Sequence, residues 1–212
     1  AQKNAMIQSA INTGKFFKLK EGDRTLLCLP ISFIAGKMVV ARALVLGLDL
    51  FVQKPDDSPI KDSSKSFEFV AMTPYQLEKS IPYINKINCL IVGGSPTRPA
   101  LQKQLFNNSL GVFETYGMSE TLSHVAIKSL SKGENGFTAI PGVSFKSRQG
   151  YLEINAPYLS NLPIITKDKI ELVSKTKFIW IGRGDFIINS GGIKILPEEV
   201  ERTLSFYYLE SF

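Results

Sequence analysis

Two short stretches of the chain carry side chains that could handle a nucleotide. The first, a tight turn predicted after an apolar strand, carries Tyr116, Ser119 and Glu120. An aromatic ring can stack on a base, a hydroxyl can bind a phosphate oxygen, and a carboxylate is the hard oxygen ligand that Mg²⁺ prefers. Farther along, Arg183 and Asp185 place a guanidinium and a carboxylate two residues apart. Each stretch alone is weak evidence, and turn chemistry by itself favours an ordinary tight turn in which Glu120 is a solvated acid.

A glycine pair marks a third candidate position. Gly93 and Gly94 follow the apolar run 89–92 and are followed by Ser95. Residues without side chains let the backbone approach a flat ligand closely. Ligands of open α/β sheets collect at the carboxyl ends of strands, and the pair and the Tyr116 turn each follow a predicted strand. Both are therefore candidate ligand sites.

The first part of the chain, which must position these residues, alternates between helix-like and strand-like segments. Helical spacing is predicted over residues 1–17, 38–46, 74–80 and 97–106. Strands are predicted over residues 25–29, 48–53, 67–71, 89–92 and 111–115. This alternation predicts an α/β domain with a largely parallel sheet, which we assign to residues 1–135. The apolar helix 38–46 is expected to pack in the core rather than to line a substrate pocket.

The pattern changes from Gly136 onward. Strand-like pieces follow one another with few helical segments between them, at residues 142–146, 150–155, 169–173 and 178–181. A small β subdomain is therefore predicted over residues 136–184. Residues 185–212 then read as a hairpin followed by a helix that Pro197 opens with acids in its first turn.

Composition excludes several classes of function. Of the 212 residues, 44% are hydrophobic and 21% are charged, which is typical of a soluble globular protein. The net charge is +6, but the lysines are scattered, so an anionic small ligand or a merely basic surface explains the charge without nucleic acid. Cys28 and Cys89 lie in apolar runs and are expected to be buried reduced thiols, which predicts a cytoplasmic protein. No membrane span is predicted, because charged residues interrupt the longest apolar stretch.

In this order the motifs resemble the signatures of the adenylate-forming enzymes, the superfamily of acyl-CoA synthetases, luciferases and peptide-synthetase adenylation domains. In that superfamily a glycine pair lines the adenine, and a Tyr-Gly-x-(Ser/Thr)-Glu turn contacts the α-phosphate and Mg²⁺. An Asp then grips the ribose hydroxyls, and a Gly-Arg-x-Asp motif closes the series. The resemblance covers nearly the whole chain. It implies nucleotide-binding roles for Gly93, Gly94, Ser95, Tyr116, Gly117, Asp168 and Arg183.

The same resemblance implies catalytic and hinge roles. Ser119 would hold the α-phosphate, Glu120 would bind Mg²⁺, and Arg183 would lie near the ribose and phosphate. Asp185 would be the hinge to a mobile C-terminal α+β domain, which residues 185–212 would begin. The predicted loop of Ser190, Gly191 and Gly192 would help to form the pantetheine tunnel for coenzyme A.

Within the superfamily, residues 29–38 are similar to the Leu-Pro-x-x-His-Ile-x-Gly segment of the o-succinylbenzoate–CoA ligases of menaquinone biosynthesis. The resemblance implies that Phe33, Met118, Ser123 and His124 line the acyl pocket. His124 is the only histidine. Its position just past Glu120 leaves two alternatives open, a role at the substrate carboxylate and a purely structural one.

Three positions depart from the family pattern. Phe33 stands where the aromatic-pocket histidine is usual, so no imidazole at that position can contact the acyl group. Lys167 replaces the glycine before Asp168, and Phe186 replaces a common second aspartate. The last two changes are expected to leave the ribose contact and the hinge intact.

The resemblance predicts an ATP-dependent carboxylate–CoA ligase that works through an acyl-adenylate and uses ATP, Mg²⁺, coenzyme A and o-succinylbenzoate. The alternatives are another acyl- or aryl-CoA synthetase and a non-catalytic nucleotide-binding remnant. A second copy of the chain is a further candidate partner. Both ends of the chain look cut, and neither the Pro-Lys-Gly phosphate loop nor the catalytic Gly-Lys lysine occurs in it. We therefore expect an internal fragment with weak nucleotide binding and negligible turnover on its own.

Overall fold

The structure, a computed structural model, describes residues 3–107, 109–186, 188–190 and 193–208. Its helices are α1 (Lys3–Phe17), α2 (Ile34–Leu46), α3 (Pro74–Ser80), α4 (Pro99–Leu105) and α5 (Pro197–Tyr208). Its strands are β1 (Arg24–Leu27), β2 (Asp49–Val52), β3 (Phe67–Met72), β4 (Ile87–Val92), β5 (Gly111–Gly117), β6 (His124–Ser129), β7 (Phe137–Ala139), β8 (Ser144–Arg148), β9 (Tyr151–Asn155), β10 (Ile164–Ser174), β11 (Lys177–Arg183), β12 (Ile188–Ser190) and β13 (Ile193–Ile195).

An eleven-stranded mixed sheet organises these elements, in the order β2-β1-β3-β4-β5-β6-β7-β11-β10-β9-β8. The strands from β2 to β5 pair in parallel, whereas every pairing from β5 onward is antiparallel. The α/β prediction is confirmed. Within residues 1–135 the described strands are largely parallel, as predicted, with β5 and β6 pairing antiparallel; the sheet as a whole is mixed. Strands β6 and β7, which the sequence interpretation lacks, carry the sheet without interruption into residues 136–184.

The parallel half of the sheet is buried on both faces. Neighbouring residues of one strand enter different core clusters, as Leu90 and Ile91 do on β4. Such strands read as continuous apolar runs, which is why β4 was recognisable from sequence. Local signals also fix the helix ends: Thr73 and Gln76 form a capping box at α3, and α2 ends at Gly47 with φ +66°.

The antiparallel half has its own core, built around Phe137, Phe145, Leu152 and Phe178. The Phe178 ring packs edge-on against Phe145, with centroids 4.9 Å apart. Strands β10 and β11, which carry Asp168 and Arg183, contribute Ile170 and Phe178 to this core. The two charged residues therefore stand on a rigid support.

The C-terminal segment begins with the antiparallel hairpin of β12 and β13, as the sequence predicts. Gly191 and Gly192, expected at its turn, lie outside the described residues. Helix α5 then contacts β11, where the Glu198 carboxylate accepts the Arg183 backbone N–H at 3.1 Å. The division into domains at residues 135 and 184 stays a prediction.

Both cysteines are free thiols: Cys28 is buried and Cys89 is half-buried. Burial raises the pKa of each thiol to about 12, so neither is a reactive thiolate at neutral pH. In the part of the chain that the structure describes, no helix has the length and hydropathy needed to cross a membrane.

Candidate functional site

The carboxyl ends of β4 and β5 lie side by side because the two strands pair in parallel. Gly93 follows β4 directly, and the Thr115 hydroxyl of β5 donates to the Val92 carbonyl at 3.0 Å. A Cβ atom on Gly93 would collide with that hydroxyl. Gly94 has φ +97°, in the left-handed region that favours glycine. The glycine pair therefore lies against the strand that leads to Tyr116, with Gly94 and Ser95 exposed.

We expect Gly93→Ala to lower the free energy of unfolding by about 1–3 kcal/mol, because the added methyl overpacks the contact with Thr115. Thr115→Ala removes the colliding oxygen and leaves only an ordinary van der Waals distance to the Thr115 Cβ. The double variant should therefore lose less stability than the sum of the two single variants. Urea unfolding of all four proteins measures this coupling, and strictly additive losses would contradict the contact.

The predicted turn after β5 is one turn of 3₁₀ helix, Ser119–Thr121. Tyr116 and Gly117 are the last residues of β5 and not part of the turn. Thr121, which the sequence interpretation missed, is buried; its hydroxyl accepts the Met118 N–H at 2.9 Å and lies 2.7 Å from the Ser123 carbonyl oxygen. This anchor leaves the residues before it, Ser119 and Glu120, exposed to solvent.

Glu120 makes no hydrogen bond or ion pair with the residues that the structure describes, so its carboxylate is available to a cation. No group of three or more His, Cys, Asp or Glu side chains that could hold a metal occurs within the described ranges. Mg²⁺ is commonly held by one or two carboxylates together with substrate phosphates and water. The position of Glu120 fits that kind of site.

Side chains from three strands meet at Asp168, which is only 4% exposed. The Tyr116 hydroxyl donates to Asp168 Oδ2 at 2.5 Å. Arg183 lies directly opposite Asp168 on β11, with Nη1 3.8 Å from Oδ1. Arg183 also donates from Nε and Nη2 to the two oxygens of Asp185, at 3.0 and 2.9 Å. The structure thus brings Tyr116 and Asp168 together with the neighbouring pair Arg183 and Asp185.

The environment of this cluster fixes its protonation. Burial, followed by the charge of Asp168, raises the pKa of Tyr116, so the phenol keeps its proton and donates it. Hydrogen bonding from Arg183 holds the pKa of Asp185 below its usual range, so that carboxylate is ionised at neutral pH. The Tyr116 ring also packs edge-on against Phe178 at 5.1 Å. Tyr116 is thus half-buried and tied to the protein at both its ring and its hydroxyl.

A second cluster forms around Ser123 and His124, close to Gly117. A Cβ atom on Gly117 would collide with the Ser123 carbonyl, so only glycine allows this approach. The His124 ring is buried, with Nδ1 3.3 Å from the Ser123 hydroxyl and Nε2 3.2 Å from that of Thr13. Ser123 in turn accepts a hydrogen bond from Arg42 Nη2 at 2.6 Å.

Sequence reasoning missed Arg42, and also Thr13, in this cluster. Arg42 lies on α2, is 3% exposed, and forms no ion pair within the described part of the chain. Its Nε atom is buried without a hydrogen-bond partner. Burial lowers the pKa of Arg42 to about 10, which leaves the guanidinium charged at neutral pH. The available signal was a single cation inside the apolar run 38–46, where the sequence predicted only core packing.

His124 is neutral because burial, and then the charge of Arg42, hold its pKa well below 6.5. Both ring nitrogens have hydroxyl partners, so the ring orders Ser123 and Thr13. These contacts favour a structural role for His124, one of the two alternatives that the sequence left open. A contact between His124 and a substrate stays a prediction.

We expect the protein to lose stability as the pH falls below about 6.5, the range in which His124 of the unfolded chain takes up a proton and buried His124 does not. The unfolded state then binds more protons, so the free energy of unfolding falls by at most about 1.4 kcal/mol per pH unit from this group. His124→Gln removes the titration. Urea unfolding between about pH 5 and pH 7 should give a shallower pH slope for the variant; equal slopes would contradict a neutral buried ring.

The remaining predicted acyl-pocket residues lie elsewhere. Met118 is half-buried against the antiparallel core. Phe33 is 67% exposed at the N-cap of α2, about 13 Å along the helix axis from Arg42. Within the described residues, Phe33 has no hydrogen bond or ring contact with the Ser123 cluster. The structure therefore joins Ser123 and His124 to Arg42 and leaves Phe33 apart.

The profile of the family described as AMP-binding enzyme matches residues 2–146. Over 237 residues the chain is 23% identical to a 2-succinylbenzoate–CoA ligase of Oceanobacillus iheyensis, covering 92% of this chain and 48% of that protein. The ligase of the same name from Bacillus licheniformis is 26% identical over 243 residues, with coverage of 93% and 48%. The chain spans about half the length of the curated relatives it matches.

The fold is shared by solved structures of known proteins. An acyl-CoA synthetase (AMP-forming)/AMP-acid ligase II-like protein from Dyadobacter fermentans superposes with a TM-score of 0.81 at 32% identity, covering 98% of this chain and 62% of that one. O-succinylbenzoate coenzyme A synthetase from Bacillus subtilis, in complex with ATP and magnesium ion, gives a TM-score of 0.84 at 20% identity, with coverage of 95% and 50%.

Proposed function

This chain belongs to the family of AMP-binding enzymes, and from that premise we propose that the protein containing it is an ATP-dependent carboxylate–CoA ligase that works through an acyl-adenylate. One observation carries the proposal. Asp168, Arg183 and Tyr116 converge from three strands at the edge that also bears the glycine pair and the exposed Glu120. A polar cluster beside a strand-end glycine turn suits a nucleotide.

The proposed chemistry has two half-reactions. In the first, a carboxylate oxygen of the acid forms a bond to the α-phosphorus of ATP, and the bond to pyrophosphate breaks. In the second, the thiol sulfur of coenzyme A loses its proton and bonds to the acyl carbon, and AMP leaves. The two steps require different surroundings, which supports a hinge at Asp185 and a tunnel near Ser190.

Each residue of the site has a proposed task. Ser119 holds the α-phosphate, Asp168 binds the ribose hydroxyls, and Arg183 lies beside the ribose and phosphate. The adenine lies against Gly93, Gly94 and Ser95, with Tyr116 and Gly117 at the facing strand end. Glu120 would hold Mg²⁺, whose charge offsets the negative charge that develops on the phosphates. The site is proposed to work in the cytoplasm, which the two reduced thiols support.

The acid is proposed to be o-succinylbenzoate, which has a second carboxylate besides the one that is activated. Arg42 supports this choice, because a buried guanidinium with an unpaired N–H is costly unless an anion binds it. Ser123, held by His124 and Arg42, would donate to the same carboxylate. Relatives named 2-succinylbenzoate–CoA ligase point in the same direction.

Mass spectrometry of the products tests this function against its two alternatives. The complete protein, given ATP, Mg²⁺ and coenzyme A, is expected to form the thioester of o-succinylbenzoate faster than that of benzoate or of a fatty acid. Faster use of a simple acid would favour another acyl- or aryl-CoA synthetase. Nucleotide binding without any thioester or AMP would favour a non-catalytic module.

A further inference from the structure

We propose that Trp180 is a positioning residue of the nucleotide site: its indole N–H holds the Asp168 carboxylate in the orientation that binds the ribose hydroxyls. The inference rests on the proposed function, because it assumes that Asp168 meets a ribose. It concerns the one tryptophan of the chain.

The hydrogen bonds at Asp168 divide its two oxygens between two donors. Trp180 Nε1 donates to Oδ1 at 3.1 Å, whereas the Tyr116 hydroxyl donates to Oδ2. A carboxylate held at both oxygens cannot rotate about its terminal torsion without breaking one of these bonds. Each carboxylate oxygen has two lone-pair sites, so each keeps one for a ligand hydroxyl. Two adjacent hydroxyls, as on a ribose, match two oxygens held in this way.

An irregularity in the sheet explains how Trp180 reaches Asp168. Asp168 pairs with Arg183 and Ile170 pairs with Trp180, so β11 uses one more residue than β10 over this interval. In a regular strand, residues three apart point to opposite faces. The register shift between Lys169 and Ile170 instead places both Trp180 and Arg183 on the buried face that bears Asp168.

Trp180 and Arg183 contribute differently to the cluster. Arg183 is 3.8 Å from Asp168 Oδ1 and is bound to Asp185 through two shorter hydrogen bonds. The Arg183 guanidinium therefore attracts Asp168 Oδ1 through its charge and does not form a directed hydrogen bond with it. Without the indole N–H, only Tyr116 fixes the carboxylate, and the oxygen nearest Arg183 is free to turn toward the guanidinium. The ligand would then have to reorient Asp168 when it binds.

The test compares two nucleotides in the complete protein. We expect Trp180→Phe to weaken ATP binding about tenfold, the loss that corresponds to one hydrogen bond, and to leave the affinity for 2′,3′-dideoxy-ATP unchanged. Calorimetry measures both dissociation constants without relying on tryptophan fluorescence. Ile179→Val, on the neighbouring position of the same strand, controls for a general disturbance of β11 and should change neither constant.

The outcomes separate this inference from the proposed function. If the wild-type protein binds neither nucleotide, the proposed function fails and this inference falls with it. If wild-type protein prefers ATP and Trp180→Phe keeps the same preference, or weakens both nucleotides equally, Trp180 is structural and only this inference is overturned. Should Trp180→Phe fail to fold, 3-benzothienylalanine at position 180 keeps the shape of the side chain and replaces the N–H with sulfur. The same ATP-specific loss is expected from it.

Discussion

Replacing Glu120 with Gln in the complete protein is expected to lower acid-dependent exchange of pyrophosphate into ATP about 10²–10³-fold. Gln matches Glu in size and lacks the negative charge that a divalent cation requires. The fold should be unaffected, because Glu120 is exposed and makes no hydrogen bond or ion pair with the described residues. Initial exchange rates at saturating ATP and a series of Mg²⁺ concentrations measure the loss.

Glu171→Gln is a matched control for this change. Glu171 is an exposed glutamate on β10 that points away from Asp168. The Glu171→Gln variant should have the same exchange rate, with the same dependence on Mg²⁺, as the wild-type protein. Equal rates in Glu120→Gln and wild-type protein would remove Glu120 from the site. A rate that excess Mg²⁺ partly restores in Glu120→Gln would support its role as a ligand.

Replacing Arg42 with Met is expected to change kcat/KM differently for two related acids. For o-succinylbenzoate, kcat/KM should fall about 30-fold or more, because removing one partner of a buried charge pair costs at least about 2 kcal/mol. For 4-oxo-4-phenylbutanoate, the same skeleton without the ring carboxylate, kcat/KM should change little. The variant should also be at least as stable as wild type without ligand, since it removes a buried cation that has no ion-pair partner among the described residues and whose Nε lacks a hydrogen bond there.

The difference in kcat/KM between the two acids distinguishes a role of Arg42 in binding the ring carboxylate from a role in stabilising the fold. Lys37→Met, an exposed cation on the same helix, controls for loss of charge and should change neither acid's kcat/KM. If Arg42→Met lowers kcat/KM equally for both acids, or lowers the melting temperature by several degrees, then Arg42 stabilises the fold and does not bind the second carboxylate.

Local signals predicted much of the parallel half of the fold. The apolar run of β4 and the Thr73–Gln76 capping box with Pro74 depend on neighbouring residues and could be recognised without tertiary information. The residue types of the nucleotide motifs were likewise visible in order. Local signals did not show that these motifs lie side by side, because their contact depends on β6 and β7, which join the two halves of the sheet. Strand β7 has three residues, too few for a periodic pattern.

The features that sequence reasoning missed depend on contacts between distant segments. Arg42 reads as an interruption of an apolar helix until Ser123, 81 residues away, is placed beside it. Trp180 reads as one more apolar strand residue until the register shift between β10 and β11 turns it toward Asp168. Neither contact has a local pattern. The same holds for Tyr116, whose hydroxyl reaches Asp168 across the sheet.

Isotope exchange between pyrophosphate and ATP tests the central claim most directly, because it requires only the first half-reaction. The complete protein is expected to exchange label when o-succinylbenzoate and Mg²⁺ are both present, without coenzyme A, and to stop when the acid is left out. Binding of ATP with no acid-dependent exchange, across o-succinylbenzoate, aryl acids and fatty acids alike, would contradict the assignment of this site to acyl-adenylate formation.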